Sequence, residues 1–361
     1  MSRQIGVGIV GANPDRSWAA RAHVPALHAA PDFTLAAVAT TREETARAAQ
    51  ERFGAAHAFT DAASLAQHPD VDLVVVTVKV TAHVELVTAA LEAGKNVYCE
   101  WPLTRTAAEA ADLGDAAEKA GVHATVGLQA RYDPAVARAR DIIAQGELGT
   151  VLSATLYSAR GKGNSHAVPA WTAYTYDATT GAGLVQILGG HALDLVQYLL
   201  GPITDITART AVRERHHSVA ETGAPIAVTA ADQFAAVTTL DDGALMTIHL
   251  HDVESAQPRT RLEVAGTAGN LALVSGPDTD PLATQLQIGP LELHRSSPDR
   301  PTWRPVQLDD ARPALPTQAR NVAGLYRHLA ADLRDGTQNV PSFRTAQALH
   351  SLIEYAQRDH A

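Results

Sequence analysis

The residues best suited to binding chemistry follow the first apolar run of the chain, at residues 5–10. Gly11 comes directly after this run, Asn13 stands two residues further on, and Ser17 and Trp18 lead into a helical pattern. A glycine at a strand-to-helix turn lets the chain bend tightly, which brings backbone N–H groups to a pyrophosphate. Asparagine tolerates a left-handed backbone better than most residues, so Asn13 can stand in for a second glycine. The turn predicts a dinucleotide site; a flavodoxin-like turn that holds no nucleotide is the alternative.

A second apolar run, at residues 35–39, ends where NAD-binding proteins usually carry an Asp or Glu for the ribose 2′-hydroxyl. This chain has Thr40, Thr41 and Arg42 there instead. Because Arg and Thr side chains can bind a 2′-phosphate, Thr40 and Arg42 favour NADP over NAD as the cofactor. An exposed arginine at a helix start is the other interpretation of Arg42, so both cofactors stay open.

The elements that must position these residues alternate along the first third of the chain. Apolar runs predict strands at residues 5–10, 35–39, 73–78, 96–99 and 124–126. Helical spacing of apolar residues predicts helices at 18–30, 43–53, 82–93 and 106–120. This alternation predicts a parallel sheet with right-handed crossovers and helices on both faces.

The pattern changes after Gly149, where consecutive strands are joined by tight turns and an antiparallel sheet is expected. Strands are predicted at residues 151–159, 205–213, 233–240, 244–253, 261–264 and 270–274. Helices are predicted at residues 192–200, 321–334 and 345–358, and residues 275–304 are expected to form loops around one strand. The pair His216 and His217 is placed in a surface loop.

These elements predict an α/β protein of two domains, as its 361 residues also suggest. The N-terminal domain, residues 1–127, is a Rossmann domain with a doubly wound parallel sheet. The C-terminal domain, residues 128–361, is an α+β domain with a large open, mainly antiparallel sheet. Its C-terminal helices are expected to pack back on the interface between the domains.

Composition excludes several classes of protein. The formal net charge of −10 and the absence of a Lys/Arg-rich run argue against a nucleic-acid partner. No apolar run approaches the length of a transmembrane helix, so no membrane partner is expected. Cys99 is the sole cysteine, which excludes an intrachain disulfide and points to a reducing compartment. A soluble cytoplasmic protein with a small, polar substrate is expected, and no Cys, His or carboxylate set has the spacing of a zinc site.

The segment YCEWPL at residues 98–103 resembles the Glu-Lys-Pro marker of the Gfo/Idh/MocA family, the relatives of glucose–fructose oxidoreductase and inositol dehydrogenase. Further matches occur in family order over nearly the whole chain. They are His83, LQARYDP at 128–134, GELG at 146–149, GHALD at 190–194 and AGTAGNL at 265–271. The branch of fungal galactose-pathway repressors is resembled most, through VGIVGAN at 7–13, Trp18, His23 with Pro25, and Glu100 with Trp101. Members of that branch bind a dinucleotide and act by protein contact rather than turnover.

The resemblance implies roles for individual residues. Glu100 would contact the nicotinamide ribose and Gln129 the carboxamide, while Trp101 would stack on the nicotinamide, line the pocket or simply pack in the core. The other implied cofactor-binding residues are Gly11, Asn13, Ser17, Trp18, Thr40, Arg42, Thr77 and His83. His191 would face the nicotinamide as the proton-transfer residue, because a neutral histidine can accept the proton of a carbinol.

Two catalytic positions of the family are changed. Trp101 replaces the lysine of Glu-Lys-Pro, and Ile187 stands where many members carry an aspartate four residues before the motif histidine. Lys162 or Tyr176, in or near the loop that opens the second domain, could replace the missing acid/base groups.

Two functions therefore remain open. One is an NAD(P)-dependent oxidoreductase, or a redox-neutral enzyme that uses the cofactor transiently, acting on a sugar, cyclitol or similar polar hydroxy or keto compound. The other is a non-catalytic dinucleotide-binding regulator or sensor. The resemblance also implies a homodimer or homotetramer.

Overall fold

The computed structural model describes residues 3–160, 166–252, 259–276, 281–308 and 314–358. The chain divides into two compact units, each described here by itself. The first comprises Met1–Gln129 and Arg312–His350, and the second comprises Ala130–Ala311 and Ser351–Ala361.

The first unit is built on a six-stranded sheet in the order β3-β2-β1-β4-β5-β6, with every neighbouring pair parallel. Its strands are β1 Ile5–Val10, β2 Phe33–Ala39, β3 His57–Phe59, β4 Leu73–Val76, β5 Asn96–Glu100 and β6 Ala124–Gly127. This strand order is that of a doubly wound Rossmann sheet, whose ligands bind where the order reverses, between β1 and β4. The predicted parallel sheet is confirmed, with β3 as a short edge strand that the sequence did not indicate.

Helices connect these strands, and side chains mark where several of them begin and end. They are α1 Val24–His28, α2 Glu43–Phe53, α3 Ala62–Gln67, α4 His83–Glu92 and α5 Ala107–Ala120. The hydroxyl of Thr106 accepts a hydrogen bond from the N–H of Glu109 at the start of α5, and Gly121 ends that helix in a left-handed conformation. The helix predicted over residues 18–30 is instead a π-helical turn, Ala19–His23, followed by the short α1.

The second unit carries an eight-stranded sheet in the order β17-β16-β15-β14-β7-β13-β12-β9. A small three-stranded sheet has the order β11-β10-β8. The strands are β7 Val151–Ala159, β8 Ala167–Val168, β9 Ile203–Ala211, β10 His216–Val219, β11 Pro225–Ala227, β12 Gln233–Leu240, β13 Leu245–His251, β14 Arg259–Gly266, β15 Asn270–Ser275, β16 Leu291–Ser297 and β17 Arg300–Pro305. In the large sheet β7 pairs in parallel with β13, and its other pairs are antiparallel. The mainly antiparallel sheet is therefore confirmed.

Two expectations about this unit are wrong. Residues 275–304 contain β16 and the start of β17 rather than one strand among loops, because the two strands pair as an antiparallel ladder at the sheet edge. His216 and His217 lie in β10 rather than in a loop, and His217 is buried. Helices α6 Pro134–Ala144 and α7 Gly190–Leu200 also belong to this unit.

The last two helices are α8 Thr317–Asp335 and α9 Phe343–Ala356. The buried side of α8, with Leu325, Tyr326 and Leu329, packs against α1 and the π-helical turn before it. Because of this apolar face, residues 312–350 belong to the first unit, although the sequence predicted them in the second domain. No helix in the described ranges is long and apolar enough to cross a membrane.

A buried aspartate organises the end of α8. Asp332 accepts hydrogen bonds from the hydroxyl of Thr337 (2.6 Å), the amide side chain and N–H of Asn339 (2.7 Å each) and the N–H of Val340 (2.8 Å). Burial alone would raise the pKa of Asp332, but these hydrogen bonds lower it below its ordinary value. The ionised carboxylate thus stabilises the turn that follows α8.

Replacing this carboxylate should therefore destabilise the fold. Asp332→Ala is expected to cost about 2–4 kcal/mol of unfolding free energy, because several donors lose their acceptor at once. The wild type's advantage should be full above pH 3.8, the ordinary pKa, and should shrink as the pH falls through the lowered folded value. Urea unfolding at several pH values measures both effects.

The matched control is Asp335→Ala, at the exposed end of the same helix. It should change stability by less than about 0.5 kcal/mol. Equal losses for the two variants would contradict the role given to Asp332.

Candidate dinucleotide and proton-transfer sites

Gly11 is required by close packing at the end of β1. Its φ is +92°, and a Cβ there would lie 2.6 Å from Cγ1 of Val78 and 3.0 Å from Oγ1 of Thr77. Thr77 in turn donates its hydroxyl hydrogen bond to the carbonyl of Val10 (2.9 Å). The structure thus brings two predicted site residues together at the point where the strand order reverses, which is where Rossmann sheets bind ligands.

Asn13 shapes the same turn by its side chain rather than by a left-handed backbone. Its Oδ1 accepts hydrogen bonds from the N–H groups of Asp15 (3.0 Å) and Arg16 (3.3 Å). Ser17 donates to the carbonyl of Asn13 (2.6 Å) and accepts from the N–H of Ala20 (3.0 Å). All residues with a positive φ in the described chain are glycines, so the left-handed conformation expected for Asn13 is wrong.

Trp18, which follows this turn, has an indole N–H that donates to no described residue. Its indole Nε1 is buried and finds no acceptor among the described residues. A buried N–H without a partner is costly unless a ligand or water satisfies it. Together with the glycine at position 11, it suits a site that receives an anionic group.

Thr40 and Arg42 stand at the start of α2. The hydroxyl of Thr40 donates to the carbonyl of Arg42 (3.0 Å) and lies 2.6 Å from Oγ1 of Thr45. Arg42 is exposed at the N-cap of α2, and its guanidinium pairs with no carboxylate in the described part of the chain. The structure therefore leaves the Arg42 side chain available to an anion, while the hydroxyl of Thr40 is already engaged.

Glu100, at the end of β5, is held by a buried hydrogen-bonded chain. Oε1 of Glu100 lies 3.0 Å from Nε2 of His23, and Nδ1 of His23 lies 2.8 Å from the hydroxyl of Tyr326. Burial, followed by the charge of Glu100, raises the pKa of Tyr326 well above its ordinary value, so its hydroxyl stays a donor. His23 therefore accepts from Tyr326 on one side and donates to Glu100 on the other. Gly127 leaves room for this carboxylate, since a Cβ there would lie 2.8 Å from Oε1.

Trp101 packs inside the first unit. It is buried, and its indole stacks on the ring of His350 with the centroids 4.6 Å apart and the planes 28° apart. Burial lowers the pKa of His350 to about 4, so this partner is neutral at physiological pH. The pair brings no charge to the position of the family lysine, which agrees with the core-packing interpretation of Trp101.

His83 and Gln129 are both buried, with different surroundings. The ring nitrogens of His83 lie 3.1 Å from the carbonyls of Leu103 and Val78, and Nδ1 lies 3.2 Å from Sγ of Cys99. Burial lowers the pKa of His83 against the opposing effect of these backbone carbonyls, and the ring is engaged with backbone on both sides. Gln129 instead has a carbonyl oxygen, Oε1, with no hydrogen-bond partner in the ranges described.

In the second unit, His191 is the second residue of α7 and is 4% exposed. Burial, assisted by the charge of Arg160, lowers its pKa to about 3. Its Nδ1 is buried and has no partner among the residues described. His191 is therefore a neutral imidazole with an unsatisfied ring nitrogen, and Ile187 in the preceding π-helical turn offers it no carboxylate.

The arginine whose charge affects the pKa of His191 is itself in an ion pair. Arg160 and Asp252 form a two-pronged ion pair at the ends of the parallel strands β7 and β13. Burial raises the pKa of Tyr176 to about 12, with the charge of Asp252 adding to the rise and that of Arg160 opposing it. Arg160 thus acts on both His191 and Tyr176.

Tyr176 and Asp252 also line a small cavity. Its lining is mixed and includes the polar residues Glu214, His217 and Asp232, and the rings of Tyr176 and His217 are 4.5 Å apart. Lys162, the other predicted acid/base residue, lies outside the described residues. The structure therefore places one of the two predicted replacements beside a cavity.

The family assignment rests on both parts of the chain. The model described as the oxidoreductase family with an NAD-binding Rossmann fold matches residues 5–128, and the Gfo/Idh/MocA C-terminal domain model matches residues 136–272. The chain belongs to the Gfo/Idh/MocA family. The resemblance carried by residues 98–103 is confirmed, and with it the NAD-binding Rossmann fold.

Relatives in the Gfo/Idh/MocA family include dehydrogenases and regulators. Dehydrogenase aclE of Aspergillus oryzae is 37% identical over 226 residues, 59% of each protein. The galactose/lactose metabolism regulatory protein GAL80 of Saccharomyces cerevisiae is 31% identical over 204 residues, which are 54% of this chain and 47% of GAL80. Levoglucosan dehydrogenase of Pseudarthrobacter phenanthrenivorans is 28% identical over 215 residues, 57% of this chain and 54% of that enzyme. The matches thus span about half of the curated relatives.

Two solved structures share the fold over nearly all of the chain. A super-repressor mutant of Gal80p from Saccharomyces cerevisiae has a TM-score of 0.85 at 24% identity, covering 98% of this chain and 95% of that one. A levoglucosan dehydrogenase in complex with NADH has a TM-score of 0.82 at 21% identity, covering 98% and 96%. At these identities the likeness shows the fold alone.

Three residues of the two candidate sites, His23, Asp252 and His217, were given no site role from the sequence. His23 was noted only as part of a motif, because its partner Tyr326 is about 300 residues away in sequence. Asp252 and His217 gave no local signal. The parallel pairing of β7 with β13 would have indicated Asp252, since it sets the ends of those strands side by side.

The Gly11 geometry gives a binding prediction. Gly11→Ala should weaken NADH and NADPH binding about tenfold or more, because the added methyl displaces Thr77 and Val78 at the turn. Fluorescence titration with the reduced cofactors measures the change.

Gly54→Ala is the matched control. Gly54 also has a positive φ, +71°, but a Cβ there meets nothing within 4 Å. It should lower the unfolding free energy by about 1 kcal/mol through backbone strain and leave cofactor affinity unchanged. Equal losses of affinity in both variants would remove the special role of the Gly11 turn.

A double-mutant cycle tests the chain that holds Glu100. His23→Leu leaves a mostly buried carboxylate without its donor and should cost about 3 kcal/mol of unfolding free energy. Glu100→Gln in the same background removes the charge and should recover part of that loss, so the two changes should be strongly non-additive. Additive costs in urea unfolding would show that His23 does not support Glu100.

Proposed function

We propose that the protein is an NAD(P)-dependent oxidoreductase that interconverts a hydroxyl and a carbonyl group on a sugar, cyclitol or similar polar compound. A redox-neutral reaction that uses the cofactor transiently falls under the same proposal. The family's NAD-binding Rossmann fold and its named dehydrogenases support the reaction class. The single observation that carries the proposal is the neutral, buried His191 with its unsatisfied Nδ1.

The chain's own residues fit a bound dinucleotide. Gly11 and the unpartnered Nε1 of Trp18 would receive the pyrophosphate, and Glu100, held by His23, would bind the nicotinamide ribose. Gln129, with its free Oε1, would accept from the carboxamide. The exposed guanidinium of Arg42 supports a preference for NADP over NAD. When bound, the nicotinamide would supply the hydride acceptor or donor.

Proton transfer would be the task of His191. Oxidation of a carbinol requires that its hydroxyl proton pass to a base while the hydride leaves. A neutral imidazole whose Nδ1 is free can accept that proton, and its low pKa keeps it in the accepting form throughout the physiological range. The cation of Arg160 would stabilise negative charge that develops on the substrate oxygen, a task for which the family uses lysine. Tyr176, protonated at neutral pH, would donate a hydrogen bond to the substrate.

The proposal extends to assembly and location by family likeness. A homodimer or homotetramer acting on a small molecule is proposed, without a nucleic-acid or membrane partner. The buried, free thiol of Cys99 is compatible with the cytoplasm.

A second candidate is a regulator that binds the dinucleotide without turnover. Trp101 favours it, since the indole stacks on the neutral ring of His350 where the enzymes of the family carry a lysine. The likeness to GAL80 supports the same direction. This candidate requires tight cofactor binding together with the absence of any hydride transfer.

His191→Ala tests the catalytic proposal. In an assay of NADH and NADPH oxidation with sugar and cyclitol carbonyls, kcat should fall about 10²–10⁴-fold, while cofactor affinity should stay within about twofold. Because the pKa of His191 is about 3, the wild-type kcat/KM should show no loss from His191 protonation between pH 8 and pH 5. His216→Ala, at an exposed histidine of the same unit, is the matched control and should keep full activity.

The two candidates give opposite results. Tight binding of NADH or NADPH with no turnover of any carbonyl or alcohol in the panel would favour the regulator. If the His191→Ala variant keeps its turnover, the proposed reaction class is retained but His191 is not the proton-transfer residue.

A further inference from the structure

A cluster of two histidines and an aspartate lies on the first unit, at the edge of its sheet. His57 begins the edge strand β3, His68 caps the C-terminus of α3, and Asp70 follows two residues later. One potential ligand atom from each residue lies within 4.8 Å of the others. None of these residues takes part in the proposed redox chemistry, so the cluster needs an explanation of its own.

The distances suit a small divalent cation. Nε2 of His57 lies 2.9 Å and Nδ1 of His68 lies 3.9 Å from Oδ2 of Asp70. Bonds of about 2.1 Å to a tetrahedral Zn²⁺ place donor atoms about 3.4 Å apart, so each of these two distances would change by about half an ångström, while the nitrogens of the two histidines lie within 4.8 Å of each other. The two imidazole rings are already adjacent, with centroids 4.0 Å apart.

The backbone that carries the cluster is fixed on several sides. Gly6 leaves room for the carbonyl of Asp70, which would lie 1.8 Å from a Cβ at that position. Nζ of Lys95 donates to the carbonyls of Val71 (2.7 Å) and His68 (3.3 Å). These contacts hold the segment 68–71 in place, so a cation would meet a largely preorganised set of ligands.

The ligand atoms of the cluster are held in place by weak hydrogen bonds. Nδ1 of His68 accepts one from the N–H of Asp70 (3.3 Å), and a bound cation would take the place of that hydrogen. Two imidazole nitrogens and a carboxylate oxygen are the donor set of many zinc sites, and the exposure of Asp70 leaves a fourth position for water.

We propose that His57, His68 and Asp70 form a binding site for Zn²⁺ that fastens the edge strand β3 to the segment after α3. In the metal-free protein a hydrogen bond between Nε2 of His57 and Asp70 makes this link. The cation would take the place of the proton between them, and the neutral imidazole would then carry its proton on Nδ1. Among the described residues this strand pairs with β2 alone, over three residues, so an added link there stabilises a short edge of the sheet.

Calorimetric titration of ZnCl₂ into tag-free, chelator-treated full-length protein tests the site. One Zn²⁺ per chain is expected, with an upward shift of the thermal midpoint when zinc is present. Co²⁺ should bind the same site and give the visible absorption bands of a low-coordinate ion. His57→Gln and Asp70→Asn should each weaken zinc binding at least tenfold and remove the shift of the midpoint.

His294→Gln is the matched control. His294 and Glu292 form a two-residue pair at the surface, with Nε2 and Oε2 3.0 Å apart, and no third ligand accompanies them among the residues that the structure describes. This variant should bind zinc as the wild type does. No zinc binding by the wild type, or binding unchanged by both His57→Gln and Asp70→Asn, would overturn the proposal.

Discussion

A mostly buried carboxylate constrains much of the first unit. The side chain of Glu100 is 12% exposed, and a charge so placed must be hydrogen-bonded or it destabilises the fold. His23 supplies the donor, and its other nitrogen is satisfied by Tyr326 of α8. Helix α8 is therefore part of the Rossmann unit because of this hydrogen bond as well as because of its apolar face. Gly127 is required by the same carboxylate, since any larger residue would displace it.

The buried ionisable groups of the second unit are stabilised in two different ways. Two of its arginines are paired, Arg160 with Asp252 and Arg131 with Asp194, so the desolvated charges compensate each other. His191 has no such partner, and burial leaves it uncharged. In the resting protein this neutral histidine adds no charge of its own to that of the paired Arg160. Asp194, whose pKa is raised by burial against the effect of Arg131, is engaged by that arginine.

Local patterns in the sequence were sufficient for the elements that are determined locally. Strand β1 and helix α2 have the bounds predicted for them, because a β-branched run ending in glycine and a helical run ending in Gly54 are complete signals. Strand β3 was missed because three residues are too few for a period. The backbone of Asn13 was predicted wrongly because its side chain can form the turn by hydrogen bonds without a left-handed conformation. The partners of Glu100, Arg160 and His57 lie 77, 92 and 13 residues away, and only the folded chain brings them together.

The family's Glu-Lys-Pro marker carries a carboxylate and a cation at the same strand end. Because Trp101 stands in place of the lysine in this chain, only the carboxylate remains there. In this chain the end of β5 keeps the carboxylate that would bind a ribose and gives the next position to packing against His350. An indole cannot carry charge, and the cation of Arg160 in the second unit is already paired with Asp252. A paired guanidinium stabilises an alkoxide less than a free ammonium does, because its own carboxylate opposes the effect. If the protein is an enzyme, its site is therefore best suited to substrates whose hydroxyl ionises easily or whose carbonyl needs little polarisation. If it is a regulator, the same arrangement holds the dinucleotide and leaves it unreacted.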